Sequence, residues 1–185
     1  VTPTLNTSGG FVMATIASTT AGTATIMAQT TGPVVGTTVV TFTAGPVDAL
    51  ELSATSPQTA GVAFPLTVTA RDEFGNVATG FTDVITLTDS TGTISGGPVS
   101  VVNGTGVANV TITTAGPTTI TGTNNVLTNT TDVVIQTNLA DLQISLAADD
   151  PIRLCSTGTL TATLTDSNGN PASGQPIRFL HTGNF

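Results

Sequence analysis

Two unrelated landmarks in this chain recur at one common spacing, and that spacing constrains the fold more than any other feature. The segment PLTVTARDEFGN, residues 65–76, returns as TLTATLTDSNGN, residues 159–170, so Asp72 and Asp166 stand 94 positions apart (166 − 72 = 94). Independently, GTGVANVTITTAGPTTITG from Gly104 is matched by GFVMATIASTTAGTATIM from Gly10, and the two Thr-Thr-Ala-Gly blocks begin at Thr113 and Thr19 (113 − 19 = 94). One offset shared by two landmarks means one folding unit repeated, and periodicity is read before anything else. Residues 45–137 contain both landmarks, the Asp-x-x-Gly-Asn turn first and the Thr-Thr-Ala-Gly block second. Residues 1–44 contain only the second, and 138–185 only the first. The expected organisation is one complete domain at 45–137, flanked by the C-terminal half of a domain at 1–44 and the N-terminal half of another at 138–185.

Within each unit, apolar residues alternate with polar ones at period 2, and no 3.6-residue apolar period lasts long enough for a helix. The clearest runs are 50–54, 65–70, 83–87, 106–112, 118–122 and 131–136, all rich in Val, Ile, Leu and Thr. Turn clusters such as DEFGN, SGGP and AGP separate them. Short strands at regular spacing between Gly, Pro and Asn turns predict an all-β sandwich or barrel. Runs 9–17 and 177–180 are expected to serve as strands of the two half-domains. Of the seven Phe residues, Phe64 and Phe81 are expected in the core, since an aromatic side chain buries about 150–250 Å². Phe74, inside the turn, is expected near a domain junction.

The stretches AGVAFPLTVTARDEFGNVATGF and VVNGTGVANVTITTAGPTTITGT resemble the bacterial Ig-like domains of invasin- and intimin-type surface proteins. The resemblance covers essentially the whole chain. It implies tandem seven-stranded Ig-like β-sandwiches arranged as a rod, and it implies no particular ligand, because one fold hosts many functions.

Composition excludes several function classes. The chain has 3 Lys+Arg, all Arg, against 11 Asp+Glu, for a formal charge of −8. Nucleic-acid binding requires a basic patch that three arginines cannot form. Charged residues make up 8%, where ordinary domains have about 25%. Roughly a fifth of the positions are Thr, a residue favoured in strands. No apolar run reaches the ~18 residues of a membrane span. The chain opens at Val1 without an initiator Met, which reads as a mature product or an excerpt.

Chemistry-bearing residues are few. One His (His181) and one Cys (Cys155) cannot assemble a zinc site or a thiol redox pair. No carboxylate pair is set in an evident cleft, and the expected reading is a non-enzyme without a cofactor. Calcium is the one metal to weigh, with Asp48, Asp141, Asp149 and Asp150 as weak candidate ligands near domain entries; solvated strand starts are the favoured alternative. The Asp-x-x-Gly-Asn segments offer too few carboxylates for a calcium loop and read as turns, with Asp and Asn bonding their own backbone and Gly supplying positive φ. Cys155 is expected as a buried small hydrophobe, with an intermolecular disulfide as the alternative. Four N-x-[ST] sequons, at Asn6, Asn103, Asn109 and Asn129, are candidate glycosylation sites in a secreted, glycosylating host.

The functional expectation is an extracellular structural protein, the repeat unit of a cell-surface fibre or filament assembled head to tail from identical neighbouring units. The alternative is the stalk of an adhesin that binds host protein or glycan. With no Lys, trypsin-type cleavage sites are nearly absent and Lys–Asn isopeptide crosslinks are excluded, so stiffness must come from packing and hydrogen bonds.

Overall fold

The computed structural model describes residues 5–6, 8–32, 35–149, 156–180 and 182. Among them the chain is all-β, with strands β1 (Gly22–Gln29), β2 (Val35–Phe42), β3 (Ala49–Ser53), β4 (Gln58–Thr59), β5 (Phe64–Arg71), β6 (Asp83–Asp89), β7 (Val99–Val101), β8 (Thr105–Val110), β9 (Gly116–Thr123), β10 (Thr128–Gln136), β11 (Gln143–Ala148) and β12 (Leu160–Thr165). The middle strands form two facing sheets, ordered β3-β5-β8 and β4-β10-β9-β6-β7. Their alternating residues meet in one core that includes Leu50, Leu52, Leu66, Val68, Ile85, Val110, Ile120, Val133 and Ile135. The period-2 pattern is the cause: β5 buries Phe64, Leu66, Val68 and Ala70 while Pro65 points to solvent. Phe64 is buried as its spacing predicts, and Phe81 packs at the core margin.

The outer strands form two separate hairpins, β1 with β2 and β11 with β12, and among the described residues neither pairs with a strand of the central sheets. Shifted by 94 positions, β1 falls on β9, β12 falls within β5, and β11 starts where β3 starts. Backbone geometry repeats with the sequence. Gly75 and Gly169 sit at φ +83° and +84°, a conformation in which a Cβ is strained. The runs at 12–17 and 175–180 lie outside any strand, contrary to the sequence expectation for 9–17 and 177–180. A β ladder needs a partner on its edge, and neither run has one within the described residues.

Register fixes the two poles of the central sandwich. Ala49, Arg71 and Thr105 lie at one end of the β3-β5-β8 sheet, and Ser53, Phe64 and Val110 at the other. Gly61 N donates to Ile112 O and Ala60 N to Gln136 O, which brings residues 112–116 and 136–138 to the second pole. The Asp72–Asn76 turn, leaving β5 after Arg71, belongs to the first.

Candidate functional site

Those two poles are where the outer hairpins attach, and the same polar device makes both attachments. In the first turn Asp72 N donates to Asn76 O at 2.9 Å and Gly75 N donates to Asp72 O at 2.9 Å. Oδ1 of Asp72 accepts the backbone N–H groups of Phe74 (3.0 Å) and Asn76 (2.8 Å), the self-capped turn its sequence calls for. Oδ2 reaches further, to the N–H of Gly45 in the linker at 2.9 Å. The Asn76 amide then crosses to the preceding Thr-Thr-Ala-Gly block: Nδ2 donates to Thr19 O (2.9 Å), and Oδ1 accepts from Ala21 N (3.0 Å).

Ninety-four residues later the arrangement returns. Asp166 Oδ1 accepts from Asn168 N and Asn170 N, both at 2.9 Å, and Oδ2 accepts from Asn138 N in the next linker at 3.1 Å. Asn170 Nδ2 donates to Thr113 O at 2.7 Å, and its Oδ1 accepts from Ala115 N at 2.7 Å. Thr137 Oγ1 adds a bond to Pro171 O at 3.0 Å. Each clamp ties the linker with Asp and the preceding corner with Asn, and satisfies backbone groups that a β sheet leaves free at its rim. Asp72, Asp166 and Asn170 are buried, so unmaking these bonds would strand polar groups away from water.

Both carboxyls titrate below the ordinary carboxylate value of 3.8. For Asp72 the Asn76 amide is the main cause, acting against burial and helped by the N–H groups of Gly45, Asn76 and Phe74. For Asp166 burial opposes the charge, and the Asn170 amide with the N–H groups of Asn138, Asn170 and Asn168 outweighs it. Phe74 is exposed and lines a recess of about 330 Å³ at the first junction, together with Thr41, Phe42 and Gly45. The matching recess at the second junction, about 490 Å³, is lined by Ala115, Leu139 and Pro171 among others.

The other candidate residues are placed as follows. Asp48 is exposed, and its N–H donates to Arg71 O at 2.7 Å. Asp141 accepts from the Ser167 hydroxyl, and Asp149 accepts from Thr159 N at 2.8 Å, so the structure does not bring the three together at one point. Among the described residues no group of three or more His, Cys, Asp or Glu side chains is arranged to hold a metal. Asp150, Cys155 and His181 lie outside the described residues. Of the sequons, Asn6, Asn103 and Asn109 are exposed, while Asn129 donates its side-chain nitrogen to Leu50 O. Asn103 occupies a left-handed turn at φ +52°, which Asn tolerates better than most residues. No described helix is long and apolar enough to cross a membrane.

No protein family and no curated protein matches the sequence. Among solved structures the chain is similar to domains 4–9 of the surface layer protein SbsC, at 24% identity and TM-score 0.41, over 83% of this chain and 25% of that one. It is also similar to InvD of Yersinia pseudotuberculosis, at 21% identity and TM-score 0.47, over 82% of this chain and 52% of that one. The chain thus spans a quarter of the first and about half of the second.

Proposed function

We propose that this chain is a mechanical spacer of the cell exterior, a rod of Ig-like sandwiches joined end to end by identical clamps. The observation that carries the reading is the duplicated junction: Asn76 on Thr19 and Ala21, then Asn170 on Thr113 and Ala115, with the same atoms in the same roles. A joint repeated without change propagates one orientation from unit to unit, as repeat rods require. The strand order supports an Ig-like assignment: β3, β5 and β8 take the places of strands A, B and E, and β6, β9 and β10 those of C, F and G. In this reading residues 45–137 are the complete domain, and 1–44 and 138–185 belong to its neighbours along the rod. An acidic, hydroxyl-rich surface without Lys suits exposure outside the cell, where protease resistance matters more than charge.

Small-angle scattering of the dilute chain tests the rod. A compact globule of 185 residues has a radius of gyration of about 16 Å. Stacked units, with strands rising about 3.3 Å per residue, give about 25 Å or more. A value near that of the globule overturns the reading.

A further inference from the structure

The chain contains two Asn-Gly pairs, Asn103–Gly104 and Asn168–Gly169. This dipeptide carries a chemistry of its own. The backbone nitrogen of the glycine attacks the side-chain carbonyl carbon of the Asn, because no Cβ on the following residue blocks the approach. The N–Cγ bond forms, the Cγ–Nδ2 bond breaks, and ammonia leaves with the proton of the glycine amide. Water then opens the cyclic imide at one of its two carbonyls. The product is Asp or an isoaspartyl link, and the link carries one extra methylene in the main chain.

The structure treats the two pairs differently. Gly104 is buried, and its N–H donates to Phe81 O at 2.9 Å. Bonds between Val102 and Thr105 close the β7–β8 hairpin around it, and a Cβ at Gly104 would stand 2.7 Å from Ala78 O. Attack on Asn103 therefore requires the rim of the closed sandwich to open. Gly169 is exposed at φ +84°, and a Cβ there would meet no atom within 4 Å. Its N–H donates to Asp166 O at 3.0 Å, inside its own turn. The clamp holds this nitrogen back: Asp166 Oδ1 accepts from Asn168 N, and Asn170 ties the turn to Thr113 and Ala115.

We propose that Asn168 is a site of spontaneous deamidation, its rate set by opening of the second clamp, and that the product keeps that clamp from closing. The inference rests on the clamp and not on the rod. Two bonds close the turn, Asp166 N to Asn170 O and Asn170 N to Asp166 Oδ1, both 2.9 Å. An extra main-chain methylene at 168 falls inside that ring and carries Asn170 away from Thr113 and Ala115. Either product also sets a carboxylate two residues from Asp166, and the like charges repel. The new charge falls at the junction itself, since the Asn168 amide lies over Gly61, where a Cβ would stand 2.7 Å from Nδ2. Phe74 takes the place of Asn168 in the first clamp (168 − 94 = 74), so that joint has no such route.

The test ages the full chain at mildly alkaline pH and follows each Asn by peptide mass mapping with an enzymatic isoaspartate assay. Asn168 is expected to convert at least roughly tenfold faster than Asn103, because opening one turn costs less than opening the rim of the core. Asn170→Ala should speed conversion at Asn168 several-fold and leave Asn103 unchanged. In converted chains hydrogen exchange at the Ala115 amide should accelerate, while Ala21, held by Asn76, keeps its protection. Asn168→Ser, aged alongside, should keep Ala115 exchange at its starting value. Equal rates at Asn103 and Asn168, a rate at Asn168 indifferent to Asn170→Ala, or Ala115 exchange that rises equally in aged Asn168→Ser overturns the inference. Two failures stay separate. If Asn170→Ala leaves Ala115 exchange unchanged, the clamp itself is refuted; faster exchange without faster conversion refutes only the deamidation site.

Discussion

Asn170 Nδ2 lies 2.7 Å from Thr113 O, across the boundary between the central sandwich and the segment that follows it. The same bond joins Asn76 to Thr19 at 2.9 Å, 94 residues earlier. The two landmarks that define the repeat in the sequence are thus hydrogen-bonded to each other in space, each turn holding the corner of the unit before it.

Asn170→Ala removes three bonds, one of them to Asp166 Oδ2, and leaves Ala115 N–H and Thr113 C=O without their partner. The expected cost is about 1–3 kcal/mol in docking of the β11–β12 hairpin. Hydrogen exchange at the Ala115 amide should accelerate correspondingly, while β5 and β9 amides in the central core keep their protection. Unchanged exchange at Ala115 would show that the clamp does not hold the junction.

Acid should loosen both junctions before it unfolds the core. Asp72 and Asp166 have folded values below 3.8, so the unfolded state binds more protons in that range and stability rises with pH. Their contribution is complete above the ordinary value and is lost as pH falls from about 3.8 through the depressed folded values. Carboxyl titration followed by NMR, with Asp72→Asn and Asp166→Asn as controls, should show both groups titrating below the ordinary carboxylate value and the Gly45 and Asn138 amides shifting with them. Ordinary titration of both would contradict the clamp electrostatics.

Equivalent leucines should respond unequally to truncation. Leu66→Ala in the closed core is expected to cost about 2–5 kcal/mol. Leu160→Ala, 94 positions later and half exposed in the isolated chain, should stay within about 0.5 kcal/mol. Leu66→Asp should unfold the central sandwich, because the charge would enter the core without a partner. Denaturant midpoints of the three variants in dilute solution check the contrast.

The sandwich was readable in the sequence because burial on one face writes itself as period 2. The runs at 65–70, 83–87 and 131–136 fall within β5, β6 and β10, short of the strand ends by a few residues at most. β4 and β7 were missed, since two or three residues are too few to show a period. The turns at Asp72 and Asp166 were legible from local chemistry, as Asp, Gly and Asn announce a self-bonded loop. That Asn76 and Asn170 spend their side-chain amides on another unit was not legible, because a hydrogen bond to a distant backbone leaves no mark on residue type at the accepting end. The only available signal was indirect: both partners recur at the same offset. The runs 9–17 and 177–180 have strand composition but no neighbouring edge among the described residues, and composition alone cannot supply one.

The clamp is expected to fix consecutive units end to end. Spin labels at Thr41→Cys and Val134→Cys, in a Cys155→Ser background, mark corresponding places on two successive units, since Thr41 opposes Thr23 as Val134 opposes Pro117. Pulsed electron–electron distance measurement on the dilute chain should give one narrow population at about 30–45 Å, a strand length plus its loops. Asn76→Ala should broaden it. A distance below about 25 Å, as for units lying side by side, or a distribution already broad with Asn76 in place, would contradict the claim.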